Sequence, residues 1–197
     1  MQSLDFTTQN IKTISNVLNE GKITMLPADT VFGLSALATN KQAVEKIYAI
    51  KKRPTHKPLI VLVSSVEEIN QFNIEIKPQE KDIINKYWPA PLTVVLECVD
   101  SKYSHLHRGH NTIAFRSPKF ELLQQVLIKT GPLVSTTVNI SGEDPINNIH
   151  LAQQTFGNQI DLYVNYEYKT INKPSTVVKL TNQGFELLRQ GEVILNH

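Results

Sequence analysis

A single cysteine, Cys98, in a chain of 197 residues excludes an internal disulfide and any metal cluster built from cysteines. It stands in an apolar run and reads as a core filler rather than a nucleophile. Long hydrophobic runs are missing as well. The longest purely apolar stretch, Leu59 to Val63, has the length of a buried strand and falls far short of a bilayer span. Residues 1–10 hold no basic residue leading into an apolar core, so no secretory signal is visible, and a cytoplasmic location with no membrane partner is expected. Neither sign of charge dominates: 20 Lys and Arg against 18 Asp and Glu leave a formal +2, too balanced for bulk nucleic-acid binding. The phosphate loop Gly-x-x-x-x-Gly-Lys-Ser/Thr, the dinucleotide fingerprint Gly-x-Gly-x-x-Gly and the zinc motif His-Glu-x-x-His do not occur. No pair of carboxylates is spaced for glycosidase-type acid/base work.

With 41% hydrophobic and 19% charged residues, no Gly/Ser linker and no internal repeat, one domain over 1–197 with a real core is expected. Ile11, Ile14, Val17 and Leu18 recur at helical spacing over residues 8–20, and Gly21 marks the stop. Ile23 to Leu26 reads as a strand running into a loop, Pro27 to Leu34. Asn40 caps a second helix with Ala43, Val44, Ile47, Tyr48 and Ile50 inward, ending near Arg53-Pro54. Further helices are expected over 78–87, 119–129 and 150–156. Strands are expected over 59–63, 92–97, 112–116, 132–136, 161–165, 175–180 and 185–188. The segment after Val63 and the histidine-bearing stretch Ser101 to Asn111 read as loops. Interleaved strands and helices give an α/β or α+β fold with a large mixed sheet.

The polar residues gather at element ends. Ser135-Thr136-Thr137-Val138-Asn139-Ile140-Ser141-Gly142 follows an apolar run and suits either a Ser/Thr-rich turn or a pocket whose hydroxyls and N–H groups donate to oxyanions. Lys51 to Lys57 runs Lys-Lys-Arg-Pro-Thr-His-Lys with no acid, a positive spot that is either a solvated helix end or an anion site. Arg116 and Arg189 close apolar runs, where each could be a satisfied salt bridge or a bidentate anion ligand, and Ser175-Thr176 opens a strand. Asp29, in the first loop, reads as a loop cap. His105, His107 and His110 cluster without a Cys or carboxylate beside them and read as a solvated loop rather than a metal site.

Seven segments, taken in order, resemble the YrdC-like threonylcarbamoyl-AMP synthases. They are Pro27-Ala28-Asp29-Thr30-Val31-Phe32-Gly33-Leu34; Ile47-Tyr48-x-x-Lys51-Lys52-Arg53-Pro54-x-x-Lys57-Pro58-Leu59; Trp88-Pro89-Ala90-Pro91-Leu92-Thr93; Ile113-Ala114-Phe115-Arg116-Ser117-Pro118; Pro132 to Gly142; Pro174-Ser175-Thr176-Val177-Val178; and Leu188-Arg189-Gln190-Gly191. The resemblance implies a YrdC-like α/β fold, a twisted, largely open mixed sheet with flanking helices around a positively charged cavity. It implies an enzyme, an ATP-using nucleotidyltransferase that forms L-threonylcarbamoyladenylate and pyrophosphate from L-threonine, bicarbonate and ATP. That is the first step of N6-threonylcarbamoyladenosine (t6A) formation at tRNA position 37.

Carried over by position, the resemblance makes Lys51 and Arg53 the catalytic cations facing the phosphates. Lys57, Thr112, Thr137, Asn139, Ser141 and Arg189 join them around ATP, and Thr30, Arg116, Ser135 and Ser175 surround threonine. Magnesium is expected to travel with ATP, no resident metal is expected, tRNA contact is weak at most, and the product passes to a downstream transfer complex. Thr137 stands where relatives usually place serine, Ala28 where threonine is common, and Leu62 where longer members have histidine. The chain is expected to match the short bacterial type, without the extra C-terminal domain of longer synthases. A domain handling carbamoyl-adenylate would bring acylphosphatase and zinc-finger domains, and an RNA-binding module would need a basic stripe with stacking aromatics.

Overall fold

The structure is a computed structural model and describes residues 2–167, 173–181 and 184–195. Ten strands among the described residues form one mixed sheet: β1 (Gln2–Asp5), β2 (Thr24–Leu26), β3 (Gly33–Leu37), β4 (Ile60–Leu62), β5 (Leu92–Glu97), β6 (Thr112–Arg116), β7 (Leu133–Thr137), β8 (Leu162–Asn165), β9 (Thr176–Thr181) and β10 (Gly184–Arg189). Their spatial order is β1-β8-β2-β3-β7-β4-β6-β5-β9-β10, so the sheet is open, with β1 and β10 at its edges. The helices are α1 (Ile11–Asn19), α2 (Lys41–Lys51), α3 (Pro78–Tyr87), α4 (Ser104–His107), α5 (Glu121–Thr130) and α6 (Ile149–Phe156). No helix among the described residues is long and apolar enough to cross a membrane.

Alternation along the strands separates two cores. One face carries Met25, Leu34, Val61, Val94, Phe115, Val134 and Val178, covered by Ile47 of α2, Ile84 of α3 and Phe156 of α6. The other carries Leu26, Leu62, Leu133, Leu162 and Val164, covered by Ile14 and Leu18 of α1 and Val126 and Leu127 of α5. Leu62 pairs with Arg116 and Ile60 with Ala114, so Ala114 and Arg116 lie on the α1/α5 side of the sheet. That apolar cover reaches β4 and no further, and the site lies where it stops.

Four segments differ from the sequence reading. Residues 33–37, placed partly in a loop and otherwise unassigned, form β3, hydrogen-bonded between β2 and β7. Their composition, Gly-Leu-Ser-Ala-Leu, lacks β-branched residues, and pairing on both sides overrides that weak propensity. The edge strand β1 had no apolar signal and forms by parallel pairing with β8. After Val63 a 3₁₀ segment (Val66–Phe72) buries Val66, Ile69 and Phe72. The stretch expected to be a solvated loop, 101–111, folds into a 3₁₀ turn and α4, with His105 and His107 buried and the His105 Nε2 bonded to the Ala38 carbonyl at 2.9 Å. Cys98 is buried in the larger core, as its apolar setting implied.

Candidate functional site

The edge of the α1/α5 cover opens into a cavity of about 300 Å³, at the lower end of small-ligand pockets. Thr30, Arg53, Arg116, Ser135, Thr137, Ser175 and Arg189 all line it. They come from the loop after β2, the loop after α2, β6, β7, the start of β9 and the end of β10, so the sheet brings together residues far apart in the chain.

Arg116 ends β6 and is 5% exposed. Its Nη2 lies 3.2 Å from Asp29 Oδ1, and Asp29 is buried to a similar degree. Asp29 Oδ2 also accepts from the Lys119 backbone N–H at 3.2 Å, so it both ties a loop and serves as the arginine's counter-ion. Ser135 of β7 is paired with Ser35 of β3 and Ile60 of β4, with its side chain at the cavity. A Cβ on Gly33 would stand 2.5 Å from the Ser135 Oγ, so glycine keeps room for that hydroxyl.

Arg53 is held differently. Helix α2 stops because Lys52 takes a left-handed conformation (φ 50°), and the chain turns into 53–58. The Arg53 Nε donates to the Lys57 carbonyl and Nη2 to the Pro58 carbonyl, each at 3.0 Å. Arg189 resembles it, donating to the Ser175 carbonyl from Nε (3.2 Å) and Nη2 (2.8 Å), and from Nη2 to the Ser175 Oγ (3.1 Å). The Ser175 Oγ also meets the Thr93 Oγ1 at 2.9 Å. Gly191 crosses this corner so closely that a Cβ would strike the Pro174 carbonyl oxygen at 2.3 Å.

Lys51 lies beneath the cavity, 1% exposed. Its ammonium donates to the Thr137 carbonyl (2.5 Å), the Asn139 carbonyl (2.8 Å) and Asn139 Oδ1 (2.7 Å), one acceptor for each of its three protons. Burial, and secondarily the nearby Arg53, hold its pKa down at about 8. Thr137 Oγ1 donates to Asn139 Oδ1 at 2.6 Å, Asn139 Nδ2 donates to the Glu143 carbonyl at 2.6 Å, and the Ser141 N–H donates to the Lys51 carbonyl at 2.8 Å. In the 135–142 segment Ser135 to Thr137 line the cavity, while Asn139 and Ser141 fasten the turn to Lys51.

Of the residues named from the sequence, Lys51, Lys57, Thr112, Asn139 and Ser141 are not in the cavity wall. Lys57 is exposed on the rim loop. Thr112 shares a face of β6 with Arg116 but begins the strand that Arg116 ends. The Asp29 pairing, the Thr93 hydroxyl behind Ser175 and the spacer roles of Gly33 and Gly191 escaped the residue-by-residue reading, although all four lie within the quoted segments. Among the described residues no group of three His, Cys, Asp or Glu stands ready to hold a metal.

A family model described as "Telomere recombination" (Sua5_yciO_yrdC) matches residues 16–191. The threonylcarbamoyl-AMP synthase of Pyrococcus abyssi is 31% identical over 182 residues, which cover 92% of this chain and 54% of that protein. The threonylcarbamoyl-AMP synthase of Bacillus subtilis is 31% identical over 180 residues, 90% of this chain and 52% of its own. The chain thus spans about half the length of these two relatives. The crystal structure of P. abyssi Sua5 complexed with L-threonine superposes with a TM-score of 0.82 at 29% identity, covering 96% of this chain and 56% of that one.

Proposed function

The chain belongs to the Sua5_yciO_yrdC family, and from that premise we propose that it joins L-threonine, bicarbonate and ATP into L-threonylcarbamoyladenylate and pyrophosphate. The observation that carries this reading is the convergence of Arg53, Arg116 and Arg189 with the Thr30, Ser135, Thr137 and Ser175 side chains in one cavity. Guanidinium groups and small donors suit two anionic substrates held side by side. Arg116, Thr30, Ser135 and Ser175 take threonine, with Arg116 on its carboxylate. Arg53, Arg189 and Thr137 take the nucleotide phosphates, with Lys57 and Thr112 at its outer side.

In the chemistry, the threonine ammonium first gives up a proton, and the resulting amine attacks bicarbonate carbon and gives the carbamate with loss of water. A carbamate oxygen then attacks the α-phosphorus of ATP, and the bond to the β-phosphate oxygen breaks to release pyrophosphate. No protein nucleophile enters. The rate comes from holding both anions in line and stabilising charge that grows on the phosphoryl oxygens, the task of Arg53. Lys51 supports the same region by its charge and, with Asn139 and Ser141, by fixing the turn that carries Thr137. Magnesium arrives with the triphosphate, since no carboxylate among the described residues lines the cavity and the nearby Asp29 is engaged by Arg116. The adenylate passes to a cytoplasmic complex that modifies adenosine 37 of tRNA, with tRNA itself touching this chain weakly at most.

Pyrophosphate release from ATP measured with each co-substrate omitted in turn tests the proposal. Release is expected only when threonine and bicarbonate are both present, and release indifferent to threonine would overturn it.

A further inference from the structure

The basic loop 53–58 is largely exposed and has no regular structure, yet it carries Arg53 and Lys57. Its internal ties are few: Lys57 N–H to the Pro54 carbonyl at 3.0 Å, and the two bonds from Arg53. Two side chains from outside the loop bind its carbonyls. The Tyr48 hydroxyl donates to the Lys57 carbonyl at 2.9 Å, beside the Arg53 Nε on that same oxygen. The His110 Nε2 donates to the neighbouring His56 carbonyl at 2.7 Å.

Tyr48 is itself fixed. It is 3% exposed on the inner side of α2. The Arg108 guanidinium lies over its ring, 3.9 Å from the centroid, and pairs with Glu45 one turn back at 2.9 Å. The Nε and Nη2 of Arg108 are buried with no hydrogen-bond partner among the described residues, so the ring face and Glu45 hold this cation in place. Burial raises the Tyr48 pKa, which keeps its hydroxyl a donor. The 104–110 segment thus supplies Arg108 and His110 as a footing for the loop that aims Arg53.

We infer that Tyr48 and His110 are positioning residues for nucleotide binding: through the carbonyls of Lys57 and His56 they set the loop that orients the Arg53 guanidinium. The inference rests on the reading of Arg53 as a ligand of the ATP phosphates. Neither residue touches substrate, and neither lines the cavity.

The test is calorimetric titration of ATP and of L-threonine into wild type, Tyr48→Phe, His110→Ala, Arg53→Ala and the Tyr48→Phe/Arg53→Ala double variant, with melting curves for each. Tyr48→Phe keeps the ring under Arg108 and leaves the Lys57 carbonyl bonded to Arg53. Loss of one oriented hydrogen bond is expected to weaken ATP about three- to tenfold, with threonine affinity and melting temperature held. His110→Ala, at an exposed site, is expected to move in the same direction by less. In the Arg53→Ala background the Tyr48→Phe effect is expected to vanish, which a merely structural role would not produce. Unchanged ATP affinity in both single variants, or parallel loss of ATP, threonine and stability, overturns the inference alone. Wild type that binds threonine but not ATP overturns the synthase reading and the inference with it.

Discussion

Within one cavity Arg116 is buried against the Asp29 carboxylate, whereas Arg53 and Arg189 are held by carbonyl and hydroxyl oxygens. Both arrangements fix a guanidinium, but they leave different charge behind. A carboxylate cancels the cation and turns it into a shaped donor for a single small anion. Neutral oxygens orient it and leave its full charge facing the cavity, as a polyphosphate requires. Lys51 follows the second pattern, with three neutral acceptors around its ammonium. The contrast fits the proposed division of the cavity, the compensated arginine for the zwitterionic amino acid and the uncompensated pair for the triphosphate.

The largest break in this comparison comes from Arg116→Ala, which removes the counter-ion of the buried Asp29 carboxylate and should destabilise the protein by about 3–5 kcal/mol. Urea unfolding checks this, and removing Asp29 in the same chain should recover much of the loss. Should the single variant unfold like wild type, the pair is not the buried constraint described here. Lys51→Met comes next. It leaves the Thr137 and Asn139 carbonyls without their donor and should cost about 1–3 kcal/mol, so the cation with no carboxylate partner still belongs to the fold. Arg53→Ala is expected to be the mildest for stability, about 1 kcal/mol in the same assay, because its half-exposed side chain gives up bonds that water can replace.

A pH series sharpens the contrast further. The folded-state pKa of Lys51, about 8, lies below its ordinary 10.5, so between those values the unfolded chain binds more protons at this residue. Its contribution therefore makes folding more favourable as pH rises through that window, while the site loses its charge and one of three hydrogen bonds. Turnover should fall above pH 8 with no matching fall in stability, and Lys51→Met should lose that limb of the profile.

How much of this was legible in the sequence depends on what each feature leaves in residue identity. Helix α3 and strands β5 and β6 lie where expected, at 78–87, 92–97 and 112–116, because Pro78 opens the helix and turn residues bracket apolar runs. Strand β3 was not, because its neighbours on both sides make it a strand and its own side chains do not. In the site, cations and hydroxyls in loops and at element ends were visible, and seven of them line the cavity. What holds them was mostly invisible. Backbone carbonyls hold Lys51 and Arg53, and a carbonyl is the same at every residue, so sequence carries no trace of it. The Arg116–Asp29 pair is written in side chains, but only the fold brings the two together.

Crossed titrations of Arg53→Ala and Arg116→Ala test the division of the cavity most directly, with the Asp29→Ala/Arg116→Ala chain substituting if the single variant proves too unstable. Arg53→Ala should weaken ATP at least tenfold and leave threonine untouched, while loss of Arg116 should weaken threonine and leave ATP untouched. Two substitutions that each weaken both ligands alike, or a reversal of the pattern, would contradict the proposed division of the cavity.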